Sequence, residues 1–221
     1  MGLIVGLSGV DGSGKTATAE KVVDKLQKQG LRVIYHHELD YILLKPVFKL
    51  VSRILGSRRA ENAKSRSLRN MEQSKPLFAG IYYFLVWADN LISYLYFKLK
   101  RGIIVHDRWP YDIPAIFPHR QYKNRFIEKL LLSFPRPDIL ILLTVPPEVA
   151  LLRKRKDPLD WHQSLEFYES IGERISVIAR KLKYDAVIDS NRPIDDVVDD
   201  ILAVIANSKK LEINTLEHDK S

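Results

Sequence analysis

Apolar positions along the chain fall into two alternating rhythms. Short runs rich in β-branched residues recur at Leu3–Ser8 (LIVGLS), Leu31–His37 (LRVIYHH), Gly102–Asp107 (GIIVHD), Asp138–Val145 (DILILLTV) and Asp185–Ser190 (DAVIDS). Each is bounded by Gly, Pro, Asp or Asn, which is the pattern of a buried strand. Between them the spacing turns helical, most clearly over Lys15–Gln29, Pro76–Arg101, Trp161–Lys183 and Ile194–Asn207. Gly30 and Gly102 stand where helices are expected to stop. Strands alternating with helices predict a parallel sheet covered on both faces. No internal repeat and no long linker interrupts the pattern. One domain is therefore expected over residues 1–207, with a polar tail over 208–221. The segment 45–75 differs, holding nine Lys or Arg against Glu61 and Glu72. It is expected to begin as a helix (YILLKPVFKLVSRIL) and to continue as a mobile basic loop.

Composition narrows the class. The chain has 221 residues, 46% of them hydrophobic and 28% charged, as in a soluble globular protein rather than a disordered one. It has no cysteine, which excludes disulfides, thiolate metal sites and a cysteine nucleophile. The net charge of +8 suits anionic partners: nucleotides, nucleic acid or a membrane surface. The opening MGLIVGLSG carries neither the basic flank nor the cleavage site of a signal peptide, so a cytoplasmic setting is expected. Leu77–Phe97 is long and apolar enough to span a bilayer. Asp89 and Asn90 fall inside it, however, where a bilayer would penalise them. A buried helix of a soluble core or of a dimer interface is the expectation, with no membrane partner.

Candidate chemistry begins between the first strand and the first helix. Gly9–Thr16 reads G-V-D-G-S-G-K-T, matching the phosphate-binding loop G-x-x-x-x-G-K-[ST] in its required strand–loop–helix context. Glycines there let backbone N–H groups turn inward around phosphate oxygens at a positive helix end. Lys15 can reach the β- and γ-phosphates, and the Thr16 hydroxyl can ligate Mg²⁺. The nucleotide-binding set is therefore Gly9, Asp11, Gly12, Ser13, Gly14, Lys15, Thr16 and Ala17.

Two further stretches add charge. In GIIVHDRWPYD, Asp107 ends a strand at the carboxyl edge of the sheet, where α/β ligands bind. Asp107 could hold Mg²⁺ and Arg108 could clamp a phosphate; a surface Asp–Arg pair closing a strand is the other reading. In LLRKRKDPLDWHQ, Arg153, Lys154, Arg155 and Lys156 precede the hinge pair Asp157-Pro158. This run reads either as a solvated or nucleic-acid-facing patch or as an arginine-bearing lid over about residues 151–163.

Taken together, these motifs resemble the thymidylate kinase family from Leu3 to about Asn207. The form GVDGSGK, then D-R-aromatic, then P-D-x-x-x-x-L-x-V-x-P-E carries the resemblance, joined by WADN and SLEFYESIGERI. It implies a three-layer α/β/α P-loop kinase fold with a five-stranded parallel sheet and a homodimer. It also implies transfer of the γ-phosphoryl of Mg·ATP to a nucleoside monophosphate, with dTMP the leading acceptor. Lys15 and Thr16 would then serve the donor, Asp11 would face the acceptor sugar, and Arg108 would lie between donor and acceptor phosphates. Asp107 would join Thr16 near the metal. The loop has Gly12 and Ser13 where some relatives carry an arginine, so Arg153 or Arg155 would be the lid arginine.

The base-reading positions depart from the family. Its F-A-A-D-R appears as Val86-Trp87-Ala88-Asp89-Asn90, without the arginine; Glu-Pro after the second strand becomes HHELD, leaving Glu38. Its S-x-x-A-Y-Q becomes Asp112-Ile113-Pro114-Ala115-Ile116-Phe117. The expected acceptor set is Asp11, Glu38, Trp87, Asn90, Arg108 and Asp112. Tyr83, Phe84 and Trp87 either stack on a base or form core, and His36 and His37 either contact an acceptor phosphate or simply end a strand. A kinase of this type acting on a nucleoside, sugar or surface-polymer precursor is the second reading. An ATP-dependent nucleic-acid-binding or assembly protein is the third, although no obligate nucleic-acid module is recognisable.

Overall fold

The computed structural model describes residues 2–37, 76–155 and 163–208. The expectations for Glu38, the basic segment 45–75, the lid turn 156–162 and the tail after 208 lie outside these residues. In chain order the elements are β1 (Leu3–Ser8), α1 (Lys15–Lys28), β2 (Val33–His37), α2 (Pro76–Leu99) and β3 (Ile103–Asp107). A 3-10 helix (Pro110–Ile116), α3 (Arg125–Leu132), β4 (Ile139–Thr144), α4 (Pro147–Arg155), α5 (Leu165–Lys181), β5 (Ala186–Asp189) and α6 (Ile194–Ala206) follow.

The five strands form one parallel sheet in the order β2-β3-β1-β4-β5. Every residue of β1 and β3 is buried, as expected of strands covered on both faces. Leu3, Val5 and Leu7 point to one face, where Val22 and Leu26 of α1 and Val198 and Ile201 of α6 cover them. Ile4, Ile104 and Leu140 point to the other, against Phe97 of α2, Trp109 and Phe134. The fold is thus a three-layer α/β/α sandwich. Register matters for function, because Leu7 pairs with Asp107. The loops after β1 and β3 therefore leave the same sheet edge side by side, where ligands of open α/β sheets bind.

Two elements differ from the sequence expectation. The 3-10 helix, PYDIPAI, contains two prolines and shows no helical period. Helix α3 has only eight residues, too few for a periodic signal, and is started by Asn124, whose Oδ1 accepts from the Phe126 and Ile127 amides at 3.1 Å. The long apolar helix α2, expected in a soluble core or at a dimer interface, is buried on one side only. Tyr83, Val86, Asp89, Asn90, Ser93 and Phe97 are inside, whereas Ile81, Phe84, Leu85, Ile92, Leu95, Tyr96 and Leu99 are exposed. Among the described residues no helix is long and apolar enough to cross a membrane.

Candidate active site

The chain leaves β1 through Gly9–Gly14, and three glycines shape this loop. Gly9, Gly12 and Gly14 have φ of +145°, +84° and +82°, a region that side chains disfavour. Gly12 also has no room for one, since a Cβ there would lie 2.6 Å from the Ala150 carbonyl oxygen of α4. Helix α1 starts at Lys15, so the unpaired N–H groups of its first turn face the loop. The Lys15 ammonium is buried and donates to the carbonyls of Gly9 at 2.8 Å and Val10 at 2.7 Å. Ser13 Oγ is buried without a hydrogen-bond partner among the described residues, while Ala17 is exposed on α1.

Beside the loop stands the end of β3. Asp107 is fully buried, and its Oδ2 accepts from Thr16 Oγ1 at 2.6 Å and from the Tyr35 hydroxyl at 3.0 Å. His37 Nε2 lies 3.7 Å from the same oxygen. The next residue, Arg108, has φ of +75°, a conformation rare outside glycine and concentrated at functional sites. Its cause is Trp109, whose amide donates to the Leu7 carbonyl at 2.9 Å and whose indole packs on Gly6. With Asp107 held in the strand and Trp109 held against β1, the turn falls on Arg108. Its guanidinium is thereby aimed at the loop, where it pairs with Asp11.

Asp112, the first residue of the altered S-x-x-A-Y-Q stretch, is buried against β1. Its carboxylate accepts from Ser8 Oγ and, at 3.0 Å, from the Gly9 amide, so it ties the 3-10 helix to the start of the loop. Burial pushes its carboxyl above the usual carboxylate range, and Lys15, the Ser8 hydroxyl and Arg108 offset this only in part. Tyr184, 3.2 Å from Ser8 Oγ, is likewise pushed up by burial.

The remaining expected residues scatter. Arg153 of α4 donates from Nη1 to the Gly12 carbonyl at 3.2 Å and from Nη2 to the Ser190 carbonyl at 3.1 Å, bridging the loop to the end of β5. Arg155 is exposed at the end of α4. Trp87 stacks on Phe84 with centroids 6.0 Å apart, and its buried Nε1 has no partner among the described residues. Asn90 turns its amide back onto the Val86 carbonyl at 2.9 Å. His36 is buried against Phe97 and His106.

A cleft open to solvent begins at the loop. Gly9, Val10, Asp11, Arg108 and Asp112 line its near end. Its walls are Tyr82, Tyr83 and Val86 from α2, Ile113, Ile116 and Arg120 from the segment after β3, and Phe167, Tyr168 and Ile171 from α5. Trp87 and Asn90 are not among the lining residues. Tyr82 and Arg120 are, although nothing in their local sequence marks them, and so is Phe167, whose one signal was its place in the SLEFYESIGERI stretch. Chemically, the near end suits an anion and the walls suit a flat apolar ring.

This arrangement has parallels among known proteins. A family model described as thymidylate kinase matches residues 55–201, well over half of the chain. A probable thymidylate kinase of Sulfurisphaera tokodaii is 23% identical over 219 residues, covering 93% of this chain and 97% of the relative. One of Methanosphaera stadtmanae is 27% identical, covering 88% and 92%. The crystal structure of a thymidylate kinase from Ehrlichia chaffeensis shares the fold, with a TM-score of 0.57 and 18% identity over 92% of this chain and 98% of that one.

Proposed function

The chain belongs to the thymidylate kinase family, and from that premise we propose that it transfers the γ-phosphoryl of ATP to a nucleoside monophosphate, dTMP first among them. The observation that supports this reading is the meeting of the Lys15 loop, the Asp11–Arg108 pair and an apolar-walled cleft in one place. Lys15 and the loop amides bind the donor phosphates. Arg108, held in its unusual conformation, neutralises charge between donor and acceptor phosphates. Asp11 orients that guanidinium and faces the acceptor sugar. Phosphoryl transfer needs little covalent help from protein, so positioning and charge supply most of the rate.

Thr16 Oγ1 and the Asp107 carboxylate, 2.6 Å apart, fit the all-oxygen donor set that Mg²⁺ prefers. When bound, the ion would neutralise the donor phosphate oxygens. Arg153, already touching the loop, is the better placed lid arginine of the two. The cleft walls exclude water from the transfer and grip the acceptor base. Residues 1–207 act as one cytoplasmic kinase domain in this reading.

ADP release from Mg·ATP across dTMP, dUMP, UMP, CMP, AMP and GMP, with thymidine and sugars alongside, tests the proposal. Efficient turnover of a monophosphate supports it. Turnover of only a nucleoside or sugar would favour the second reading, which the inward turn of Asn90 and the burial of Phe117 keep in view.

The exposed stripe of α2 is the contact for a second copy. The helix has 24 residues, about 36 Å at 1.5 Å per residue, and apolar surface of that length on a soluble protein marks an interaction face. Ile92→Glu with Leu95→Glu should turn a dimer into a monomer in sedimentation; an unchanged mass rejects this face.

A further inference from the structure

The altered base-reading positions leave open what recognises the acceptor, and the cleft contains an answer. Among the described residues its lining holds four ionic side chains, Asp11, Arg108, Asp112 and Arg120. Asp11 pairs with Arg108, and Asp112 is engaged by Ser8 and Gly9. All three belong to the end beside the loop. Among the described residues, Arg120 is the one ionic lining residue beyond the 3-10 helix. That helix has seven residues, about 14 Å at ~2.0 Å per residue, and the two arginines flank it in sequence.

The turn that presents Arg120 is closed by its own backbone. Arg120 N donates to the Ile116 carbonyl at 3.2 Å, Gln121 N to Pro118 at 3.0 Å and Tyr122 N to Phe117 at 3.0 Å. Phe117 and Tyr122 are both buried and packed edge to face, 4.9 Å between centroids. His119 rests on Phe167 of α5, 4.8 Å between rings, which joins this turn to the opposite wall. The anchored turn fixes the backbone from which the Arg120 side chain extends, so no loop has to be ordered when it binds.

Resting on the kinase reading above, we propose that Arg120 reads the edge of the acceptor base and selects bases that present carbonyl oxygens. A guanidinium only donates hydrogen bonds. Thymine, uracil or guanine offers oxygen to it, whereas the amino group of cytosine or adenine leaves donors facing each other. A buried donor without a partner is penalised, and sites built on such pairs discriminate more strongly than apolar pockets do. Tyr82, Tyr83 and Phe167 supply the flat faces between which the ring lies. The arginine missing at Asn90 is thus supplied from a different element, the turn whose Phe117 and Tyr122 pack on Tyr83 of α2.

Steady-state kinetics of the full chain with saturating Mg·ATP test this, using wild type, Arg120→Met and Arg120→Lys against dTMP, dUMP, dGMP, dCMP and dAMP. The expected result is preference for the oxo bases in the wild type. Arg120→Met should raise KM for dTMP about tenfold or more, leave kcat within about threefold, and narrow the preference; Arg120→Lys should recover part of it. ATP affinity and Tm should stay at wild-type values, which separates recognition from misfolding. An unchanged KM with dTMP turnover intact overturns the role of Arg120 and leaves the kinase reading standing. A loss confined to kcat would also overturn it, by moving Arg120 to the phosphates. Silence of the wild type toward every monophosphate removes both.

Discussion

The loop Gly9–Gly14 and the cleft beside it adjoin one another but are assembled differently. The loop is a single local segment whose shape follows from three glycines and from Lys15 holding two of its carbonyls. The cleft draws its walls from α2, the segment after β3 and α5, with residue numbers running from 82 to 175. Backbone atoms and a fixed cation make the first, and side chains packed by burial make the second. A phosphate is the same in every nucleotide, so its cradle can be rigid and stereotyped; acceptors differ, so their walls are made of parts that can change one at a time. The difference shows in this chain, where the Gly9–Thr16 motif resembles the family's and the stretches 86–90 and 112–117 depart from it.

Four substitutions would sharpen or break that contrast. The largest effect is expected at Lys15→Ala, a fall in kcat on the order of a thousandfold or more with ATP as donor, and near-normal turnover would remove the loop from the mechanism. Next comes Arg153→Ala, on the order of a hundredfold in kcat, with Arg155→Ala smaller because Arg155 does not reach the loop. Equal and negligible effects of both would remove the lid arginine. Cleft walls should behave otherwise: Tyr168→Ala is expected to raise acceptor KM severalfold more than ATP KM, a split that stopped-flow binding and steady-state rates would each reveal. Equal rises in both constants would mean the wall serves the whole site.

The smallest effect concerns stability. His106 lies buried between His36 and Trp109, 4.7 Å and 5.0 Å between rings. Burial pushes its imidazole well below the ordinary value, the nearby histidines add to this, and a hydrogen bond with the Arg108 backbone offsets only part. The unfolded chain then binds a proton near pH 6.5 that the fold refuses. Stability should fall as pH drops below about 6.5, by at most about 1.4 kcal/mol per pH unit from this group. Urea unfolding of His106→Phe between pH 7.5 and 5 should show a shallower decline than wild type; parallel curves would clear His106 of the effect.

Much of the fold was legible because burial writes itself into local pattern. All five strands lie within the apolar runs expected of them, and α1 and α6 end within one residue of their expected limits. The 3-10 helix and α3 were not legible, since one carries two prolines and the other is too short for a period. On the site, the motif residues were legible wherever function resides in consecutive positions. Asp107 and Arg108 met the loop as their strand-end placement suggested. Trp87 and Asn90 did not reach the cleft, because helix rotation turned Tyr82, Tyr83 and Val86 toward it instead.

The division has a physical basis. Sequence alone determined the alternation of strands and helices and the phosphate loop, because hydrophobic period, glycine conformation and a short Gly-Lys-Thr spacing are properties of neighbouring residues. Only the tertiary structure decided which face of α2 lines the cleft, that Asp112 braces the loop, and that Arg120 and Phe167 stand on its walls. Those facts depend on how a twisted parallel sheet sets its covering segments against one another, and no local window of the chain contains that angle.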